Sequence, residues 1–180
     1  DWIQLRPTQF RGSDVIAVNG ATYTSIAHAN IAKARLYGFS SNLNFSFSDF
    51  SIDFGATYFK GKNSTEENNP LSSISPFSGL LSVTYEQSNP NISHSFSAQY
   101  NGGKPLDQFA IGSADNRNYF IETDGTPAWY TLNYSADWRI SRQIQLKVAV
   151  ENILDTHYRT FGSSLNATGR NLIVALAGTF

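Results

Sequence analysis

The sequence predicts an all-β fold, a transmembrane antiparallel β-barrel. Three observations lead to this prediction: polar and apolar residues alternate in seven segments, short and long connections between segments alternate, and Phe and Tyr concentrate on the apolar side near segment ends. Because successive side chains of a strand point to opposite faces, such a segment forms a strand with one apolar and one polar face. In a membrane barrel the apolar face meets lipid and the polar face lines the interior.

The last segment, residues 170–180, shows this alternation most clearly. Leu172, Val174, Leu176 and the terminal Phe180 share its apolar side, opposite Asn171. A final strand that ends on an aromatic residue is typical of outer-membrane barrels. We therefore expect this strand to face lipid and to act as the signal for the barrel-assembly machinery.

The same alternation predicts six earlier strands, and a stub at the start of the chain brings the number to about eight. The six are residues 37–47, 50–58, 77–86, 92–100, 129–140 and 143–153. Aromatic residues at both ends of the apolar face match the two interfacial girdles of a membrane barrel. His94 falls in the lipid-facing register near a turn, where we interpret it as an interfacial residue. A soluble barrel or sandwich, which would favour Val, Ile and Leu and a more charged surface, is the alternative.

The connections predict the orientation of the barrel. Three are short (residues 48–49, 88–91 and 139–142), and three are long, polar and contain Gly or Pro (residues 61–76, 101–127 and 154–169). Membrane barrels have short periplasmic turns and longer extracellular loops. The alternation of the two kinds therefore predicts that the carboxyl terminus lies in the periplasm.

The composition and the scattered polar residues exclude several function classes. The 180 residues include no Cys, and a net charge of −1 with 15% charged residues offers no basic field for nucleic acid. The three histidines, His28, His94 and His157, stand in separate segments, and no Gly-x-Ser-x-Gly motif occurs. We therefore expect neither catalysis nor a metal site, and no cofactor.

The amino-terminal residues indicate that the sequence starts partway along a barrel strand. Residues 1–6 resemble the end of a strand already under way, and no initiator Met or signal peptide precedes them. Residues 7–31 are not assigned, although part of this stretch could extend the next strand outward. About eight strands could also close alone into a small barrel.

Three short elements near the carboxyl end resemble those of a known family. They are Asn152 with Asp155 around two apolar residues, the pair Tyr158-Arg159, and Gly169-Arg170-Asn171 before the last strand. These three elements are similar to those found in the final two strands of TonB-dependent outer-membrane receptors. Residues 30–39, with an Asn, basic residues and a Gly-Phe entry to a strand, also resemble a segment of that family.

The resemblance implies a much larger barrel of about 22 strands. Residues 1–180 would then be the carboxyl-terminal segment of that barrel, with the plug domain and the earlier strands absent. Such a receptor imports a scarce nutrient, most often a ferric siderophore or similar chelate, otherwise cobalamin or an oligosaccharide. Its partners would be outer-membrane lipid, the extracellular small-molecule ligand, its own plug domain and, through the plug, the TonB energising protein.

The residues of the family motif also have structural interpretations. Asn and Asp close strands by bonding nearby backbone, so we expect Asn152 and Asp155 to shape a turn. Gly162 and Gly169 supply backbone angles that other residues avoid. We expect Arg170 to order the loop, with a carboxylate as its partner.

Ligand contacts are expected from the outer loops, and plug contacts from the barrel interior. Arg117, Tyr119, Tyr158 and Arg159 could stack on or pair with an anionic ligand. Interior-facing polar residues are expected to hydrogen-bond to the plug or to water; they are Asp137, Lys147 and Glu151.

Two other functions fit the sequence pattern. A self-contained eight-stranded barrel could serve as an anchor or adhesion scaffold, and would show a signal peptide shortly before Asp1. A barrel enzyme would need a His and a carboxylate together at the outer rim. The receptor would instead show a plug domain encoded upstream.

Overall fold

The computed structural model describes residues 3–7, 15–24, 26–30, 33–64, 70–71, 73–109, 124–163 and 165–179. The chain divides into two compact units. Unit 1 comprises Asp1–Gly38, Phe59–Ser75 and Lys104–Pro127, and unit 2 comprises Phe39–Tyr58, Pro76–Gly103 and Ala128–Phe180.

Strands make up most of the described structure. In chain order they are β1 (Ile3–Pro7), β2 (Val15–Val18), β3 (Ala21–Thr24), β4 (Ile26–Asn30), β5 (Ala34–Phe47), β6 (Phe50–Asn63), β7 (Ser78–Gln87), β8 (Ile92–Asn101), β9 (Lys104–Pro105), β10 (Gly125–Thr126), β11 (Trp129–Arg139), β12 (Ile144–Glu151) and β13 (Asn171–Gly178). A 3₁₀ turn, Leu106–Gln108, follows β9. Among these residues no helix has the length and apolar character needed to cross a membrane.

The seven long strands form one sheet and confirm the seven segments predicted from alternation. Their order is β13-β12-β11-β8-β7-β6-β5, so that each long strand lies beside its neighbour in sequence. The short turns between β5 and β6, β7 and β8, and β11 and β12 fall within a residue of the predicted positions. Within the described part of the chain the sheet is open, with β5 and β13 as its edges.

Strand pairing keeps the two faces of the sheet chemically distinct. On the apolar face Phe54 lies opposite Leu81, and Leu81 lies opposite Ala98. On the polar face hydroxyl and amide groups bond across the strands: Thr84 to Ser95 at 2.8 Å and Asn133 Nδ2 to Ser97 Oγ at 3.3 Å. A one-residue slip would exchange the faces, so the alternation itself determines the register.

Aromatic residues on the apolar face occur in pairs eight residues apart. The pairs are Phe39 and Phe47, Phe50 and Tyr58, Phe77 and Tyr85, and Tyr130 and Trp138. Eight residues span about 27 Å along a strand, or about 20 Å across a membrane at a tilt of about 40°. This spacing is close to the height of the apolar band of a membrane barrel.

His94 belongs to an aromatic row at the short-turn end of the apolar face. The ring of Phe50 stacks on Tyr85 at 4.8 Å, and His94 lies 6.2 Å from both Tyr85 and Tyr134. The Nδ1 atom of His94 is 2.8 Å from the Tyr134 hydroxyl. His94 thus lies near the short turn between β7 and β8, as the sequence predicts, and its interfacial role stays a prediction.

Strands β5 and β6 are longer than the alternation predicts. β5 begins at Ala34 rather than Tyr37, and β6 continues to Asn63. The backbone N–H of Ser64 still bonds to the Lys33 carbonyl at 2.8 Å, so the hairpin ladder extends through this stretch. Lys60 and Lys62 interrupt the apolar pattern there, which is why the sequence pattern missed the extension.

The amino-terminal strand is confirmed over Ile3–Pro7, and it pairs with β4. The stretch that the sequence left unassigned contains β2 and β3, which form a hairpin around Asn19 and Gly20. Both turn residues have positive φ, 50° and 81°, a conformation that Asn and Gly tolerate.

Candidate functional site

The connection between β12 and β13, residues 152–170, carries the family motif and is anchored to β11 where it begins. The backbone N–H of Asn152 donates to Asn133 Oδ1 at 2.8 Å, and the N–H of Ile153 donates to the Leu132 carbonyl at 2.8 Å. The loop therefore leaves the sheet in a defined direction.

The side chain of Asn152 closes the base of this loop. The residue is 4% exposed and has φ of 49°, a conformation that Asn adopts more readily than most residues. Its Oδ1 accepts from the Thr156 N–H at 2.9 Å, and its Nδ2 donates to the carbonyls of Thr156 at 2.9 Å and Thr168 at 3.3 Å. One carboxamide thus joins the first and last parts of the loop.

Asp155 joins the two ends of the loop a second time. Its φ is 55°, and its Oδ1 accepts from the backbone N–H of Arg170 at 2.7 Å. A Cβ on Gly169 would lie 2.6 Å from that oxygen, so this close approach requires glycine. The backbone angle expected of both loop glycines is found at Gly162, with φ of 76°, but not at Gly169. The Arg170 Nε donates to the Ile153 carbonyl at 2.9 Å. In the described structure the Arg170 guanidinium therefore orders the loop through a carbonyl and not through the expected carboxylate, and Asp155 accepts from the backbone N–H of this residue instead.

Tyr158 packs on Trp129, a residue that the sequence pattern did not single out. The ring centroids are 4.0 Å apart with an interplanar angle of 30°, and Trp129 is 7% exposed. Trp129 has the register of the polar face, where most other side chains are small or polar. The sequence signal that could have revealed this contact is a lone Trp in a polar register. A side chain of that size has to be covered by another part of the chain.

Arg159 is half-buried beside Tyr158. Its Nε donates to Asn166 Oδ1 at 3.0 Å, and the Ala167 N–H donates to the Tyr158 carbonyl at 2.9 Å. The structure therefore brings Tyr158 and Arg159 together on an ordered loop. The other two predicted ligand residues, Arg117 and Tyr119, lie outside the described residues.

The predicted residues of the last strand stand on the apolar face. Leu172, Val174 and Leu176 are 66%, 63% and 72% exposed, and Asn171 pairs with Glu151 on the polar side. Phe180 lies outside the described residues. Apolar side chains this exposed in a regular row need an apolar partner, which lipid would supply.

The polar face carries charged side chains, for which the sequence predicts no catalytic role. Lys147 Nζ is 3.7 Å from Asp137 Oδ2, with both side chains partly exposed, and Ser93 donates to Glu86 at 2.8 Å. An exposed ion pair of this kind contributes little to stability. Among the residues that the structure describes, no three His, Asp or Glu side chains are grouped so as to hold a metal ion.

A buried lysine ties two segments of unit 1 together, and sequence reasoning missed it. Lys104 is 3% exposed, its Nζ donates to the Ile74 carbonyl at 2.7 Å, and the ammonium lies 4.6 Å from the ring centroid of Phe109. Carbonyl and aromatic face both favour a cation. Nothing in the local sequence distinguishes this lysine from an exposed one.

Comparisons with known proteins agree with this architecture. The family model described as TonB dependent receptor-like, beta-barrel, matches residues 7–153. No curated protein matches the chain.

Several solved structures share the fold. The copper transporter OprC superposes with a TM-score of 0.70 at 18% identity, over 87% of this chain and 25% of that chain. The FrpB iron transporter of Neisseria meningitidis (F3-3 variant) gives 0.66 at 15% identity, over 86% and 25%. The ferric yersiniabactin uptake receptor FyuA of Yersinia pestis gives 0.60 at 15% identity, over 86% and 25%.

The chain spans about a quarter of the length of these structures. At 15–18% identity, the likeness to these structures shows a shared fold. Since the family model covers most of the chain, this protein belongs to the TonB-dependent receptor β-barrel family.

Proposed function

We propose that residues 1–180 form the carboxyl-terminal wall and outer loops of an outer-membrane receptor that imports a scarce nutrient. The observation that carries the proposal is the family match over residues 7–153, in a family of receptors and transporters rather than enzymes. In this proposal the earlier strands complete the barrel and the plug domain fills its lumen.

The two faces of the sheet support a membrane position for this wall. The apolar face has exposed Leu, Val, Phe and Tyr between aromatic residues about 20 Å apart along the membrane normal. The short turns then lie in the periplasm with the carboxyl terminus, and the connection at residues 152–170 faces the exterior.

The cargo that we propose is a ferric siderophore or a similar metal chelate. Support comes from the copper, iron and ferric yersiniabactin proteins with which this chain shares its fold. Many chelates are anionic, and an Arg beside an aromatic ring suits such a ligand through charge and stacking. We assign ligand contacts to Tyr158 and Arg159 and, from the long connection at residues 101–127, to Arg117 and Tyr119.

The remaining partners follow from the same assignment. The polar face, including Asp137, Lys147 and Glu151, faces the plug and water. The TonB protein acts through the plug, and the barrel-assembly machinery reads the last strand through Leu172, Val174, Leu176 and Phe180.

Uptake by the full-length protein tests this function. Cells that depend on it for growth under nutrient limitation are supplied with ⁵⁵Fe-loaded siderophores of several classes, labelled cobalamin or oligosaccharides, with and without the TonB protein. We expect TonB-dependent uptake of a ferric chelate. At chelate concentrations below KM, the double variant R159Q/R117Q should reduce uptake at least about tenfold, since each charge-assisted contact contributes about 1.5–3 kcal/mol.

The control variant R139Q/R142Q removes the same number of Arg charges at the short turn after β11. Uptake of cobalamin or a sugar alone would overturn the proposed cargo. A correctly inserted protein that imports none of these compounds would favour the anchor or adhesion function.

A further inference from the structure

The first half of β11 holds the connection at residues 152–170 against the polar face of the sheet. Trp129 and Asn133 both have the register of that face, four residues apart. The first stacks on Tyr158 within the connection, and the second accepts the backbone N–H of Asn152, where the connection begins. Because both contacts lie on the polar face, the connection folds back over this face instead of extending away from the sheet.

Burial along the polar face of β11 is deepest where the strand begins. Trp129 is 7% and Thr131 2% exposed, while Ser135, further along the same face, is half-buried. Tyr130 lies between the two buried residues but points to the apolar face, and it is 55% exposed. The chain that covers Trp129 therefore lies on the polar face, and Tyr158 supplies the ring that the indole contacts.

The stack determines where Tyr158 and Arg159 stand. The ring centroids of Trp129 and Tyr158 are only 4.0 Å apart, so the indole occupies one face of the Tyr158 ring. The Tyr158 carbonyl accepts the N–H of Ala167 at 2.9 Å, and the Arg159 Nε donates to Asn166 Oδ1 at 3.0 Å. These two bonds join the pair to the returning half of the connection, and the stack joins the pair to β11.

We propose that Trp129 is a positioning residue for the cargo, whose indole holds Tyr158 and Arg159 over the polar face before the chelate arrives. The inference rests on the proposed function, in which this pair contacts the chelate and the polar face lines the barrel interior. The chelate then meets the other face of the Tyr158 ring and the adjacent guanidinium at fixed positions. A loop arranged in advance binds more tightly, because less side-chain and backbone freedom is lost on binding. Trp129 is buried, so it acts through Tyr158 and not by contact with the chelate.

The test compares binding and uptake by the full-length protein in cells, with the ⁵⁵Fe-loaded siderophores of the uptake experiment as probes. W129A should raise the Kd, measured without the TonB protein, and the KM of uptake together by about two- to tenfold, which corresponds to the contribution of an aromatic pair. The maximal rate of uptake should not change, because Trp129 acts before transport begins. W129F keeps a ring and should retain most of the affinity. In the Y158A background, W129A should cause no further loss.

W138A is the matched control, since Trp138 lies on the same strand but on the apolar face, and its Kd should equal that of the unmodified protein. W129L keeps apolar bulk without a ring and replaces W129A if that variant inserts poorly.

Hydrogen exchange of the unmodified protein needs no variant. The Ala167 N–H donates to the Tyr158 carbonyl and should be protected even without chelate. An unprotected Ala167 amide, an unchanged Kd in W129A or W129L, or additive losses in W129A/Y158A would overturn the role of Trp129. A lower maximal rate with unchanged KM would also overturn it, since Trp129 would then act in transport. Failure of the correctly inserted, unmodified protein to bind or import any of these chelates would instead overturn the proposed function.

Discussion

The carboxylate of Asp155 accepts the backbone N–H of Arg170 at 2.7 Å, and it lies where a side chain on Gly169 would have to begin. This contact joins two residues fifteen positions apart and closes the loop that holds Tyr158 and Arg159. The loop before the last strand is therefore ordered by its own short polar side chains.

Substitution of Gly169 by Ala should open this loop. The new Cβ would meet Asp155 Oδ1 at 2.6 Å, so the carboxylate must move and lose its bond to Arg170. We expect the local opening free energy of the Arg170 amide to fall by about 1–3 kcal/mol, measured by hydrogen exchange in the full-length protein.

A double-mutant cycle isolates that contact. Since D155A removes the obstructing oxygen, D155A/G169A should be no less stable than D155A alone. Gly79 provides the control, because an Ala there meets its nearest neighbour at an ordinary 3.6 Å. Full additivity of D155A and G169A would show that the two residues act separately.

Replacement of Asn152 by Asp should also release the loop. A carboxylate cannot donate to the carbonyls of Thr156 and Thr168, and it would lie buried against them. We expect a loss of about 2–4 kcal/mol in local stability, seen as faster exchange of the Thr156 amide.

Asn166 is the matched control for that substitution. It is exposed and accepts from Arg159, a role that a carboxylate performs at least as well, so N166D should leave the loop intact. Equal damage from N152D and N166D would contradict the role assigned to the Asn152 amide.

A third prediction concerns the carboxyl-terminal end of β6. An Ala at position 61 would place its Cβ 2.7 Å from Cδ1 of Leu71, which is only 1% exposed. G61A should therefore destabilise this segment by about 1–3 kcal/mol through overpacking. Limited proteolysis of the folded protein should show faster cleavage near residues 64–70.

Replacement of Leu71 by the smaller Ala should relieve that overpacking. G61A/L71A should be more resistant to protease than G61A, although L71A alone leaves a cavity and is itself less resistant than the unmodified protein. If L71A worsens G61A, the two side chains do not compete for the same space.

The tautomer of His94 is a fourth prediction. Gln87 Nε2 donates to the Asn89 carbonyl at 3.2 Å, so its oxygen faces His94 Nε2 at 3.4 Å. The neutral ring must then carry its proton on Nε2 and accept the Tyr134 hydroxyl at Nδ1. Imidazole ¹⁵N shifts of the labelled full-length protein in detergent should show this form.

Two variants separate the contributions to that tautomer. Y134F removes the donor to Nδ1 and should shift the Nδ1 resonance, whereas Y130F, on the same strand and face but outside this network, should not. A ring protonated at Nδ1 in the unmodified protein would contradict donation from Tyr134 to His94.

The sequence determined the strands wherever the two faces meet different surroundings. Residues from Phe50 to Tyr58 alternate because one face needs apolar and the other polar side chains, and β6 follows that pattern. The pattern ends at Lys60 and Lys62, so the carboxyl-terminal end of β6 could be recognised only from the continuing backbone ladder. The family motif around Asn152 and Asp155 was visible in the sequence as turn-forming residues.

Tertiary structure alone decided which side chains of distant segments meet. Tyr158 covers Trp129, Leu71 lies against Gly61, and Lys104 reaches Ile74, in each case across ten or more residues of chain. Alternation shows only whether a side chain prefers an apolar or an aqueous environment, because it reflects the solvation of each residue by itself. The partner of a buried side chain depends on where the chain returns, and that is a property of the folded loops and not of any local pattern.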